Sequence, residues 1–190
     1  MLPPLAIAPA PFASEFAGTL NADAAATTMI VTGIARSLAA HGIRVTAIAN
    51  AHHDPAHVTA LRRAVDEVTA RGDSALVFPD LTRRRWAERL TPEFRSGACH
   101  AGRYEGSIVL AERPDLVRSD VMIGLAPNPR SLVDAIRAGE TTFAAAGGPQ
   151  AYFGMPAEAT AAEGRAIVET LGAVLAEAVI EAMGQAGAAS

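Results

Sequence analysis

The chain has 190 residues, half of them hydrophobic, with 16 basic and 20 acidic residues and a formal net charge of -4. That length supports one substantial core and points to a single domain spanning residues 1–190. Its scattered, mildly acidic charge excludes a nucleic-acid surface, which needs a concentrated positive field. No uncharged apolar run reaches the ~18 residues of a membrane span, and the one cysteine, Cys99, cannot close an internal disulfide. A soluble protein of the reducing cytoplasm is expected. Every basic residue is arginine, which excludes a catalytic lysine.

In chain order, Met1–Ala10 reads as a short strand and Pro11–Asn21 as an irregular loop holding Ser14, Glu15, Gly18 and Thr19. The opening is apolar but proline-rich and lacks a basic start, which argues against a signal peptide. From Asp23 to His41, Met29, Ile30, Ile34 and Leu38 recur at helical spacing, and Gly42 suits a left-handed stop. Ile43–Ala49 is β-branched and predicts a buried strand that runs into Asn50, Ala51, His52, His53 and Asp54. Pro55–Arg71 predicts a helix with Val58, Leu61, Val65 and Val68 on one face, ended by Gly72. Ser74–Phe78 is another strand, and Thr82–Leu90 contains a helical turn. After the cluster Cys99, His100, Ala101, Gly102, Arg103, Tyr104, Glu105, a helix is expected over Gly106–Arg113, stopped by Pro114. Val121–Pro129 reads as irregular or a short strand, Ser131–Gly139 as a short helix, and Ala161–Gly184 as the last long helix. Strand and helix alternate, so the expected class is α/β, a three-layer α/β/α arrangement around a mainly parallel sheet. In such sheets functional loops gather at the carboxyl ends of strands, where the His52 cluster falls.

His52, His53, Asp54 and His57 are the densest group of metal-type ligands, and imidazole nitrogen with carboxylate oxygen suits zinc or manganese. Alternate residues of an extended segment share a face, so His52 and Asp54 can converge. Equally, Asp54 followed by Pro55 is a good helix-capping sequence in its own right. In the second cluster His100 and Glu105 flank a small turn, and such a pair suits general acid–base work or metal ligation. A solvent-facing turn, with Glu105 favouring the start of the next helix, explains it as well. Cys99 has no evident partner as a nucleophile, Ser14 and Ser107 lack a nucleophile elbow, and Gly147–Gly148 is no phosphate loop.

Four segments in order resemble the creatininase family of amidohydrolases. They are FAGTL at Phe16–Leu20, NAHHD at Asn50–Asp54, HAGRYEGS at His100–Ser107 with IVLAERPDLV after it, and FGMPAEATAAEG at Phe153–Gly164. The resemblance implies a creatininase-like fold and a metal-dependent hydrolase that cleaves a C–N bond in a small cyclic amide, formamide or peptide-like amide. It implies His52, Asp54 and Glu105 as ligands of a divalent metal, zinc or manganese, and His100 and Glu105 as catalytic groups. Glu15, His53 and Tyr104 stand as candidate substrate-pocket residues. The family's opening ExHGxH unit is not found among these residues, for which a truncated or misassigned start is one explanation, and Ala51, Pro55, Arg103 and Gly106 depart from its motifs. The expectations are therefore a homo-oligomer, or a partner chain supplying the missing ligands. The alternative is a noncatalytic, metal-deficient paralogue acting as a subunit or binding module.

Overall fold

The computed structural model describes residues 1–98 and 100–188, so Cys99 lies outside the described residues. Two compact units form, one from Met1–Thr82 with Val174–Ser190 and the other from Arg83–Ala173.

The first unit opens on an irregular segment that ends in a 3-10 turn, Pro11–Ala13. The strand expected over Met1–Ala10 does not form, because Pro3, Pro4 and Pro9 have no N–H to give a ladder. Met1–Ile7 stay exposed. The segment is tied down instead by Ala22 N–H donating to the Ala8 carbonyl at 3.2 Å and Ala10 N–H donating to Asn21 Oδ1 at 2.8 Å.

Helix α1 (Ala24–Ala40) is capped by Asp23, whose side chain accepts the Ala25 N–H. Strand β1 (Val45–Ala47), helix α2 (Pro55–Arg71) and strand β2 (Ala75–Val77) follow. The strands pair in parallel with Val45 opposite Ala75, and α2 is the crossover that parallel pairing requires. Val31 and Ala35 of α1, Leu61, Ala64 and Val68 of α2, and Leu76 of β2 make one buried cluster. The two alanines let the helices approach closely, and the Thr28 hydroxyl donates to the Ala60 carbonyl at 3.0 Å across them. Among the described residues the sheet has these two strands. The parallel α/β character is therefore as expected, with a smaller sheet. Ile43–Ala49 is correspondingly not a buried strand: three residues pair, on one side, and Ala47 is exposed.

The second unit holds α3 (Arg84–Ala87), α4 (Pro92–Ser96), α5 (Arg103–Glu112), α6 (Ser119–Met122), α7 (Leu132–Arg137) and the start of α8 (Ala161–Ala188). Helix α4 was not expected; Thr91 caps it through the Phe94 N–H at 3.4 Å, and Pro92 sits in its first turn. Beyond α6, which takes in only Val121 and Met122 of it, the run to Pro129 is irregular as expected, with one antiparallel bridge between Asn128 and Gly154. Helix α5 starts three residues before Gly106, which places Glu105 inside its first turn. Ser107, fully buried, accepts the Thr160 N–H at 2.9 Å and so joins α5 to the start of α8. The rings of Phe94 and Tyr104 pack with centroids 4.9 Å apart.

Candidate functional site

In the first unit the segment between β1 and α2 is ordered by Asn50. Its Oδ1 accepts the His52 N–H at 3.2 Å and pairs with His57 Nε2 at 3.0 Å, while its Nδ2 donates to the His52 carbonyl at 2.7 Å. His52 Nε2 lies 2.8 Å from the Pro9 carbonyl. A carbonyl only accepts, so Nε2 carries the proton and Nδ1 keeps the lone pair. The same logic gives His57 a protonated Nε2, and its buried Nδ1 has no hydrogen-bond partner. Burial first, and the neighbouring His52 second, push the His57 pKa down to about 4, so it is neutral at pH 7.

Asp54 does what the Asp54–Pro55 pair predicts and caps α2. Oδ1 accepts the Ala56 N–H at 2.9 Å and Oδ2 accepts the Phe12 N–H at 3.4 Å, in a side chain that is buried. Asp54→Ala is expected to lose ~1–2 kcal/mol of stability, and Asp54→Asn only a few tenths, because asparagine caps as well as aspartate. Urea unfolding checks this; an unchanged midpoint for the alanine variant would count against the cap. His53 is half-buried, and Glu15 is exposed in the turn after the 3-10 segment.

In the second unit the segment His100–Glu105 folds back on itself. Ala101 adopts a left-handed φ of 49°, and its N–H donates to Glu105 Oε2 at 2.6 Å. His100 Nδ1 stands 3.9 Å from the same oxygen. The His100 ring stacks on Phe143 with centroids 4.3 Å apart, and its carbonyl accepts the Phe153 N–H at 2.7 Å. Burial pushes the Glu105 carboxyl up to about 7; the Ala101 N–H opposes that rise and the charge of Glu93 adds to it. The side chain is half-buried, with 29% of it accessible. Such a carboxyl both gives and takes a proton near neutrality, which is the property general acid–base catalysis needs. Tyr104 is a core residue here, 3% exposed against Phe94.

Sequence reasoning passed over Glu93. Its buried carboxylate accepts three backbone N–H groups, from Arg103 at 3.0 Å, Tyr104 at 2.6 Å and Met155 at 2.7 Å. The signal available was Thr91–Pro92–Glu93, a capping pattern that marks a helix start but not the direction of the carboxylate.

The ligand set implied by the resemblance draws His52 and Asp54 from the first unit and Glu105 from the second. His52 suits a metal ligand chemically, since the Pro9 carbonyl fixes its tautomer and leaves Nδ1 as a donor. Asp54 retains lone pairs beyond the two N–H groups it accepts. Among the described residues, however, no three His, Cys, Asp or Glu side chains are grouped to hold a metal ion. The donors fit a divalent cation in kind and fall short in number. Among the described residues no helix is long and apolar enough to cross a membrane.

Comparison with known proteins agrees with this arrangement of motifs. A family model described as "Creatininase: Creatinine amidohydrolase" matches residues 1–179. A tryptophan-to-alanine mutant creatininase is 25% identical, with 88% of this chain and 67% of that chain covered at a TM-score of 0.57. A glutamate-to-glutamine mutant creatininase complexed with creatine is 25% identical, with 87% and 68% covered and a TM-score of 0.57. A further mutant creatininase, of Zn-Zn type, is 26% identical, with 88% and 67% covered and a TM-score of 0.52. The chain thus spans about two thirds of the length of these structures. A comparison with curated proteins gives no match. With the family match running over almost all of its length, this chain belongs to the creatininase family.

Proposed function

We propose that this chain is an amidohydrolase of creatininase type that hydrolyses a C–N bond in a small cyclic amide, a formamide or a short peptide-like amide. The observation that carries the reading is the Glu105 carboxyl, raised to about 7 and held by the Ala101 N–H beside His100. Glu105 takes a proton from the attacking water, and His100 delivers one to the leaving nitrogen, so that water is added across the bond. The resemblance assigns zinc or manganese to His52 and Asp54, and such an ion would act as a Lewis acid toward the amide carbonyl. The related structure of Zn-Zn type supports that part of the reading, and the one complexed with creatine makes creatinine the first substrate to try. A cytoplasmic homo-oligomer, or a partner chain that adds ligands, completes it.

The second reading is a noncatalytic, metal-deficient paralogue serving as a subunit or binding module. The shortfall in grouped ligands among the described residues favours it. One experiment separates the two. Purified protein is assayed for bound zinc and manganese by mass spectrometry, then incubated with creatinine, simple lactams and formamides while ring opening or amine release is followed. The hydrolase reading expects turnover and metal that is lost on His52→Ala. Absence of both turnover and metal, with either ion supplied, selects the noncatalytic subunit.

A further inference from the structure

We infer that Glu93 is a positioning residue, whose carboxylate fixes the backbone carrying His100 and Glu105 by binding the amide N–H groups at the start of α5 and of residue 155. The inference rests on the proposed acid–base role of Glu105 for its functional half; its structural half stands on geometry alone. Oε1 accepts from Arg103 and Met155 and Oε2 from Tyr104, so one carboxylate joins α4, the first turn of α5 and the chain after Phe153. The flanking glycines leave room for nothing else. A Cβ on Gly102 would lie 2.9 Å from both Glu93 oxygens, and one on Gly154, whose φ is 99°, would be driven into Oε1.

Both ends of the clamp bear on the catalytic pair. Arg103 and Tyr104 immediately precede Glu105. Met155 follows the segment in which Phe153 N–H binds the His100 carbonyl, and Phe143 stacks on the His100 ring. A buried carboxylate is a costly choice for a purely structural tie, because backbone amides are satisfied by a neutral acceptor without burying a charge.

Glu93→Gln nearly preserves shape but replaces one acceptor with an NH2 group that faces an N–H donor. Glu93→Asp keeps both acceptors on a shorter arm. The test records amide exchange at Arg103, Tyr104 and Met155, the NMR signals of the His100 ring and the Glu105 carboxyl, and turnover of creatinine. Both variants and Glu105→Gln are compared with the wild-type chain, well below their melting temperatures. The expected result for Glu93→Gln is faster exchange at the three amides, moved His100 and Glu105 signals, and a fall in kcat on the order of 10- to 100-fold with KM within a few-fold. Glu93→Asp should recover part of the loss. Unmoved His100 and Glu105 signals, with kcat intact and only the melting temperature lowered, would overturn the inference. If Glu105→Gln turns over like wild type, or if the wild-type chain shows no turnover, the acid–base reading falls. The signals of His100 and Glu105 in Glu93→Gln then decide the positioning claim by themselves.

Discussion

Glu105→Gln is expected to lower kcat/KM by ~10²–10⁴, the usual contribution of one positioned acid–base group, while leaving the fold in place. Glutamine keeps an oxygen for the Ala101 N–H, so the turn at Ala101 has no reason to open. What it loses is the proton. The same substitution changes how stability depends on pH, and the sign follows from the direction of the shift. The native carboxyl titrates at about 7 and the ordinary value is 4.5, so between those two pH values the folded chain binds more protons than the unfolded one. Stability from this group is fully present below about 4.5 and is lost as pH rises through about 7. Glu105→Gln should therefore flatten that decline and gain on the wild type at pH 8 relative to pH 5, read from urea midpoints at the two pH values. Parallel declines in both proteins would show that Glu105 titrates at its ordinary value, and the basis for its acid–base role would go with it.

Much of the fold was legible because its helices carry their own punctuation. Asp54 and Pro55 open α2 and Gly72 closes it, and the residues between them run helically from Pro55 to Arg71, as the pattern predicts. Asp23 and Gly42 frame α1 in the same way. The strands were overread, because β-branched runs such as Ile43–Ala49 report a preference for extended backbone and say nothing about how many neighbours pair with it. Met1–Ala10 failed for a local reason that was visible, its prolines, but was outweighed by its apolar content. At the candidate site the capping role of Asp54 and the pairing of His100 with Glu105 follow from spacing within a few residues. Glu93 was hidden because its three partners lie 10, 11 and 62 residues away along the chain. No local period links a carboxylate to backbone amides at that separation. The left-handed φ at Ala101 was hidden too, since alanine carries none of the preference for that region that marks glycine or asparagine.

Phe153→Ala should cost ~3–5 kcal/mol of stability, the range for truncating a large buried aromatic side chain. Phe153 is fully buried, its ring lies 6.1 Å from that of Phe143, and Gly148 is packed so closely to it that a Cβ there would strike the ring. Neighbours held this tightly, on the carbonyl of His100 at one side and the Gly147–Gly148 turn at the other, cannot close in on the space left behind. A cavity therefore persists, and its cost adds to the lost transfer energy. The effect also reaches the site. The Phe153 N–H still meets the His100 carbonyl in the variant, but Phe143, freed on one face, no longer holds the His100 ring in a fixed stack. Phe153→Leu refills most of the volume and should lose distinctly less stability, so the pair separates cavity from contact. Urea unfolding measures the first effect and the His100 ring signals measure the second. If the alanine variant unfolds within ~1 kcal/mol of wild type, the segment around residue 153 repacks freely, and the aromatic support assigned to His100 is wrong.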